Sequence, residues 1–385
     1  MNRIFFLARN ALIFNNQISK LQALQKFYFS KKPDFDQNYK TIKEQLEKYK
    51  SILNTNPADS DTFFKLGMLY HNTKMLEEAK QCYLNSLKIN SQNSGAYNSL
   101  GSIYLETNMI DEASLCFKKC IQINPQDYQP HMNLGNVFLK MNNLEQAKDC
   151  YEQALQLSPH SDEIYLNLGT LYKQMNKFEE AKENFEKALK LNANSAVAYN
   201  NIGSIYESQN RLQESKQWFA KAIQINPEYA NAHSNLGIIY NKMNMIEEAT
   251  QCYLKALKID PKHSLANYNI GNIYMNLNML EKAKQCYLIS LQTDPLFELA
   301  NINLGNIYSQ TNMFEDAKKC YQQALQSNPH NEITHYNLGL AYAHTNMIQE
   351  AKQQIIQALR LKPSFEQAQM TLKQIEQIIL NKKQK

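Results

Sequence analysis

The sequence has few residues that break helices and none of the short motifs that mark a common catalytic site. Its 385 residues include only 10 glycines, 10 prolines and one tryptophan, which argues against a fibrous protein or a turn-rich β protein. No run approaches 18 apolar residues, so no integral membrane segment is expected. C-x-x-C, H-E-x-x-H, G-x-S-x-G and a phosphate-binding glycine loop are all missing. The sequence therefore predicts no enzyme, no cofactor and no metal site.

Positive charge is concentrated at the two ends of the chain. The formal net charge is +5, but residues 1–33 carry six positive charges and no acid, and residues 381–385 carry three more. Residues 34–380 therefore have a net charge of −4. A weakly acidic body is not typical of a protein that binds nucleic acid through a basic face, so no nucleic-acid partner is predicted.

Nine of the ten glycines recur every 34 residues, a period typical of repeat architectures. An aromatic residue follows each of them by three positions, and alanine or serine follows by twelve. We expect the glycine and the small residue to remove side-chain bulk where two helices of one repeat approach closely. This glycine ladder consists of Gly67, Gly101, Gly135, Gly169, Gly203, Gly237, Gly271, Gly305 and Gly339.

Each repeat is predicted to contain two helices. Apolar residues follow helical spacing on both sides of a turn, and asparagine occupies the turn in eight of nine repeats, from Asn108 to Asn346. Asparagine tolerates the left-handed conformation that ends a helix. Proline follows the second helix in seven repeats, where a helix cannot continue. The pattern predicts an all-α fold.

The repeat resembles the tetratricopeptide repeat, as in "NAHSNLGIIYNKMNMIEEATQCYLKALKIDPKH" at 231–263. This resemblance implies an α-solenoid, a right-handed superhelix of helix–turn–helix units, with nine repeats across 60–365. Residues 34–59 are predicted to form a degenerate half-repeat cap, and 366–385 a C-terminal capping helix with a basic tail. The apolar line of that helix is Ala368, Leu372, Ile375 and Ile379.

The resemblance also points to a binding surface, because ligands of this family usually lie on the concave groove lined by the first helices. An amide side chain offers donors and an acceptor together, so a row of asparagines can hold a peptide backbone. Asparagine is also usual at this position of the fold, so a structural role is an open alternative. The candidate peptide-binding residues are Asn133, Asn167, Asn201, Asn235, Asn269, Asn303 and Asn337, two before the glycine, and Asn136, Asn272 and Asn306, one after it.

The amide-rich repeats are similar to those of O-linked N-acetylglucosamine transferases. Those enzymes carry a catalytic domain after the repeats, and only twenty residues follow the last repeat here, so we carry over no catalysis. A clamp for a chaperone's terminal carboxylate would need lysine three before the glycine, where Phe64, Asn98 and Met132 begin the series. The lysines and acids expected in the groove nearly balance, which does not indicate a strongly charged ligand.

These features predict a non-catalytic scaffold that binds an extended segment of a partner protein and assists complex assembly. Two alternatives stay open. The repeats could act as the targeting subunit of a separate glycosyltransferase, or the chain could be a structural subunit of a large assembly.

Six of the seven cysteines recur at one repeat position, from Cys82 to Cys320. Neighbouring repeats stack at roughly 10 Å, too far for a disulfide, so a packing role is predicted, with redox or metal chemistry as the alternative. Free thiols fit a reducing compartment or the mitochondrial matrix better than secretion. His131, His233 and His335 share a packing position, and Trp218 replaces the cysteine of the fifth repeat.

The first 33 residues form a separate, cationic segment rich in apolar residues. Such a composition resembles a mitochondrial presequence, so a mitochondrial location is predicted, which N-terminal sequencing of the native protein would test. A cytoplasmic tail is the main alternative, and a secretory signal is disfavoured because Arg9 and Asn10 interrupt the apolar run.

Overall fold

A computed structural model describes residues 35–383, in which the regular secondary structure is helical throughout. After α1 (Phe35–Thr55), each repeat contributes a first and a second helix, and α20 closes the series. The helices are α2 (Ser60–Asn72), α3 (Leu76–Ile89), α4 (Ser94–Glu106), α5 (Ile110–Ile123), α6 (Tyr128–Lys140), α7 (Leu144–Leu157), α8 (Asp162–Gln174), α9 (Phe178–Leu191), α10 (Ala196–Ser208), α11 (Leu212–Ile225), α12 (Ala230–Lys242), α13 (Ile246–Ile259), α14 (Ser264–Asn276), α15 (Leu280–Thr293), α16 (Glu298–Gln310), α17 (Phe314–Ser327), α18 (Glu332–His344), α19 (Ile348–Leu361) and α20 (Glu366–Lys383).

The chain divides into two compact units, Met1–Lys187 and Ala188–Lys385, with the boundary inside α9. Within each unit, a first helix packs on the second helix of its own repeat, and that second helix packs on the next first helix. This is the packing of an α-solenoid. None of the helices in the described range is long and apolar enough to cross a membrane. The predicted presequence, residues 1–33, lies outside the described residues.

A left-handed residue ends every first helix, as the asparagine pattern predicted. Asn108 has φ 64°, and Met109 N–H donates to Tyr104 O at 2.8 Å, which is the long bond of a Schellman motif. The same conformation recurs in every repeat, with Lys74 (φ 60°) in the first. The following second helices open with acidic residues such as Glu77 and Glu78, which the helix dipole favours.

The core of each repeat is built where the ladder glycine meets a large side chain of the second helix, an aromatic ring in eight repeats and Ile355 in the last. A Cβ atom added to Gly67 would lie 2.6 Å from Tyr83 Cε1, and one added to Gly271 would lie 2.6 Å from Tyr287 Cε1. Real Cβ atoms do not approach carbon this closely. Both rings are almost fully buried. Glycine is therefore needed at these positions because the two helices of a repeat approach closely. It is not needed for a special backbone angle, since no glycine in the described residues has positive φ.

Both ends of the described helical stack are covered by single helices. Leu46 of α1 is buried with Leu66 and Leu69 of α2. In α20, Ala368 and Ile375 are buried against the last repeat, and Leu372 and Ile379 pack beside them. The predicted apolar line of the C-terminal helix is the one that packs, while Met370 and Leu380 remain exposed.

Candidate functional site

The first helices form one face of each unit. In unit Met1–Lys187, α2 contacts α4, α4 contacts α6, and α6 contacts α8; in unit Ala188–Lys385, α10 contacts α12 and α12 contacts α14. Consecutive second helices make no comparably close contact in the described range. Elements that converge in this way lie on the inner side of a curved stack, so the first helices line the inner face of each unit. We call this surface the first-helix face.

All ten candidate asparagines lie on first helices, and all ten are half-buried. Asn133 and Asn136 lie on α6 and Asn167 on α8, in the first unit. In the second unit, the candidates are Asn201 on α10, Asn235 on α12, Asn269 and Asn272 on α14, Asn303 and Asn306 on α16, and Asn337 on α18.

Side-chain amides bond from one repeat to the next along this face. In the second unit, Asn303 Nδ2 donates to Asn272 Oδ1 at 2.9 Å, and Asn337 Nδ2 donates to Asn306 Oδ1 at 3.2 Å. Each bond joins two consecutive first helices, because the partners are 31 residues apart in sequence. We call these bonds between repeats the amide ladder.

Two rungs of the amide ladder use acceptors that sequence reasoning missed. Asn235 Nδ2 donates to Asn200 Oδ1 at 2.9 Å, and in the first unit Asn133 Nδ2 donates to Asn98 Oδ1 at 3.0 Å. Asn98 and Asn200 both lie three residues before a ladder glycine. Their shared repeat position was the available signal in the sequence.

The asparagines one position after the glycine also accept a bond from the core. Tyr151 Oη donates to Asn136 Oδ1, and Tyr287 Oη donates to Asn272 Oδ1, both at 2.7 Å; Tyr321 Oη donates to Asn306 Oδ1 at 2.8 Å. Burial raises the pKa of these tyrosines, so each hydroxyl stays protonated and acts as a donor. These three asparagines therefore satisfy buried hydroxyls, which is a structural role.

The amide ladder is interrupted at Ile238, which occupies the position of Asn272 in the preceding repeat. Tyr253 Oη, Asn269 Nδ2 and Ser234 Oγ are buried, and the described residues give them no hydrogen-bond partner. Tyr253 and Asn269 are the repeat equivalents of Tyr287 and Asn303, which share the Asn272 acceptor. An isoleucine in place of one amide thus leaves two donors without their usual acceptor.

Two ladder amides keep hydrogen-bonding capacity after their rungs are made, whereas Asn303 Nδ2 also donates to Tyr287 Oη at 3.4 Å. Asn235 and Asn337 each use one N–H, and within the described residues the Oδ1 atom and the second N–H have no partner. A primary amide has two donors and an acceptor. One donor and one acceptor therefore remain, the same pair that a peptide unit of another chain requires.

Some charges on or beside the first-helix face are paired between repeats. Lys242 Nζ lies 2.9 Å from Glu207 Oε1, and Lys74 Nζ, in the turn after α2, lies 3.2 Å from Glu106 Oε1. Both pairs are partly exposed, so they contribute little stability. Their effect is to leave the face close to neutral, as the sequence predicted.

The recurrent cysteines pack inside the repeats. All seven cysteines are free, and Cys82, Cys116, Cys150 and Cys320 are buried. Burial raises the pKa of Cys82 and Cys320 to about 12. A thiol that stays protonated at neutral pH is a poor nucleophile and a poor metal ligand. No group of metal-binding side chains occurs in the described residues.

Two of the three histidines at the shared repeat position bond to loop carbonyls. His233 Nε2 lies 2.9 Å from Pro227 O, and His335 Nε2 lies 3.0 Å from Pro329 O. Trp218 stacks on Tyr206 with ring centroids 6.2 Å apart. These contacts are packing contacts.

Comparison with protein-family models identifies the family of this chain. Residues 36–267, more than half of the chain, match the model of the cilia and flagella-associated protein 70 C-terminal domain. The chain belongs to this family of tetratricopeptide-repeat domains. Three further models, described as TPR or tetratricopeptide repeats, match residues 252–285, 305–345 and 334–365. No curated protein matches the chain.

Several solved structures resemble this chain at low sequence identity, and those with TM-scores above 0.5 share its fold. The APC/C hetero-tetramer Cut9–Hcn1 matches with TM-score 0.54 and 14% identity, over 82% of this chain and 76% of that one. A human IFIT1 dimer with PPP-AAAA matches with TM-score 0.53 and 17% identity, over 79% and 73%. YrrB, described as a TPR protein with an unusual peptide-binding site, matches with TM-score 0.36 and 23% identity, over 49% and 96%.

Proposed function

We propose that this tetratricopeptide-repeat chain is a non-catalytic scaffold that binds a segment of a partner protein on its first-helix face. Holding that segment would help to assemble a complex. The observation that carries the proposal is the amide ladder, in which the rungs made by Asn235 and Asn337 each fix a side chain and still leave a donor and an acceptor. An amide fixed in this way loses little conformational entropy when it binds a peptide backbone.

Charge supports a protein partner over a nucleic acid. A phosphate backbone requires several unpaired lysines or arginines on one surface. Lys242 on the first-helix face and Lys74 in the turn after α2 are each paired with an acid of a neighbouring repeat, and Lys140 Nζ donates to the Leu105 carbonyl. The paired cations leave little positive potential for a polyanion.

The two alternative roles would give different biochemical results. A targeting subunit for a separate glycosyltransferase would co-purify with transferase activity. A structural subunit would co-purify in fixed stoichiometry and resist high salt. Nothing in the described residues favours either alternative over segment binding.

The cellular location stays a prediction. The cationic segment 1–33 is the basis for proposing mitochondrial import, whereas the matched family is described by a cilia and flagella-associated protein. Imaging of the full-length protein with a C-terminal reporter separates the two locations.

Photo-crosslinking tests whether partners meet the first-helix face. Benzoylphenylalanine would replace Asn276 of α14 or Gln310 of α16, both exposed at the ends of first helices. Matched controls would carry it at Leu254 of α13 or Leu288 of α15, which are exposed on second helices of the same unit. We expect partner adducts in native extract from the first-helix positions and few from the controls. Adducts formed only at Leu254 and Leu288 would refute the proposed face.

A further inference from the structure

The first helices of the last three repeats, α14, α16 and α18, carry few charged side chains. The helix α14 contains no acidic, lysine, arginine or histidine side chain. In α16 the only such residue is Glu298, which accepts bonds from Asn328 Nδ2 (3.0 Å) and Asn331 Nδ2 (2.7 Å). In α18, Glu332 lies 3.5 Å from Lys362 Nζ. Second helices of the same repeats are rich in charge, as in α17 with four charged residues.

Apolar side chains take the place of charge on this part of the face. Leu299 and Ile333 are 48% and 52% exposed. Each lies four residues before a ladder asparagine, Asn303 or Asn337, and residues four apart share one face of a helix. The exposed apolar residues therefore flank the amide ladder on the side open to solvent.

Two aromatic pairs make the same surface rigid. The Tyr268 ring packs on Phe297 with centroids 4.8 Å apart, and the Tyr336 ring packs on Phe365 with centroids 4.9 Å apart. Tyr268 and Tyr336 directly precede the candidate asparagines Asn269 and Asn337. Aromatic side chains held in this way bind apolar groups at a low entropic cost.

The spacing of the repeats selects the conformation of the ligand. The first helices α14, α16 and α18 are joined by direct amide bonds, and two asparagine side chains that bond at about 3 Å hold their backbones within roughly 10 Å of each other. A polyproline II segment advances about 9 Å in each three-residue turn. Every third residue of such a segment would therefore face the same position on successive repeats.

We infer that α14, α16 and α18 bind an uncharged, extended segment of a partner protein with an apolar side chain at every third residue. This inference rests on the proposed function and names its ligand class. A charged side chain buried here would lose water without gaining a counter-charge. Leu299 and Ile333 would contact the apolar side chains of the partner segment, and the remaining amide groups of the ladder asparagines would bond to its backbone.

The direct test is a titration of the full-length protein with fluorescein-labelled 12-residue peptides, followed by anisotropy. The probe carries leucine at positions 2, 5, 8 and 11, with serine and asparagine between. One comparison peptide has the same composition with leucine at alternate positions, and another replaces two serines with glutamate or lysine. We expect the probe to bind with a Kd below about 100 μM and both comparison peptides to bind at least fivefold more weakly.

Paired variants locate the binding site. The double substitution Leu299→Glu and Ile333→Glu should weaken binding of the probe at least tenfold, without loss of helical content because both side chains are exposed. The control, Leu254→Glu with Leu288→Glu, changes exposed apolar residues on second helices and should bind as the unchanged protein does. Equal binding of all peptides, no binding of the probe at 1 mM, or an equal effect of both double variants would overturn the inference. Crosslinks from Asn276 and Gln310 would still support the broader proposal in each case.

Discussion

Replacing Gly203 with leucine is expected to lower the stability of the protein strongly. A Cβ atom at this position would lie 2.8 Å from both Cδ1 and Cε1 of Phe219, a fully buried ring. Leucine adds three further carbons, so the cost should reach or exceed the upper end of the roughly 1–3 kcal/mol typical of overpacking. The measurement is the urea midpoint of the full-length protein, followed by circular dichroism.

Gly95 provides the matched control, because it is the one glycine outside the ladder. A Cβ atom there meets Phe64 Cζ at 3.0 Å, the tip of a half-buried side chain that can shift. Alanine in a helix is favoured over glycine by about 1 kcal/mol, so Gly95→Ala should be neutral or stabilising. If Gly203→Leu changed the midpoint no more than Gly95→Ala, the close approach of the two helices would be wrong.

Opposite substitutions at one repeat position should move stability in opposite directions. Asn272→Ile removes the acceptor of Tyr287 Oη and Asn303 Nδ2, and each buried donor left unpaired costs about 1–3 kcal/mol. Ile238→Asn supplies an acceptor where Tyr253 Oη and Asn269 Nδ2 have none among the described residues. It should raise the stability by a similar amount, reduced by the stabilisation that is lost when the apolar isoleucine side chain is removed. Thermal unfolding of the two variants measures both effects. A fall in melting temperature for both would contradict the assignment of Ile238 as the break in the amide ladder.

The repeat itself could be derived from the sequence because its signals are local. Helical spacing, the asparagine turn before Met109 and the glycine opposite Tyr83 all act within 34 residues. The structure adds that Lys74 adopts the left-handed turn conformation without being asparagine. Tertiary packing of the two helices evidently imposes that conformation.

The role of the asparagines could not be derived in the same way. A rung depends on which residue of the neighbouring repeat supplies the acceptor, and this is Asn200 for Asn235 but Asn272 for Asn303. The two acceptors lie 35 and 31 residues away, at different repeat positions. Asparagines at one repeat position therefore make bonds of two different geometries. Half-burial of the amides also follows from packing between repeats, which spacing along one helix does not reveal. Sequence reasoning left a binding and a structural role as alternatives, and the geometry allows one amide to serve both.

The most direct test of the account is a paired measurement on the ladder asparagines of the second unit. Asn235, Asn303 and Asn337 would be replaced together by alanine, and Asn267→Ala would serve as the control. Asn267 is buried on α14, and its Nδ2 donates to Pro261 O and His263 O. Both variants lose structural hydrogen bonds, each worth about 0.5–1.5 kcal/mol, so both should unfold at a lower temperature. Affinity for the crosslinked partner should fall by about one to three orders of magnitude in the triple variant only, since only its amides would contact the partner. A triple variant that loses stability but binds its partner as the unchanged protein does would show that these asparagines only join the repeats.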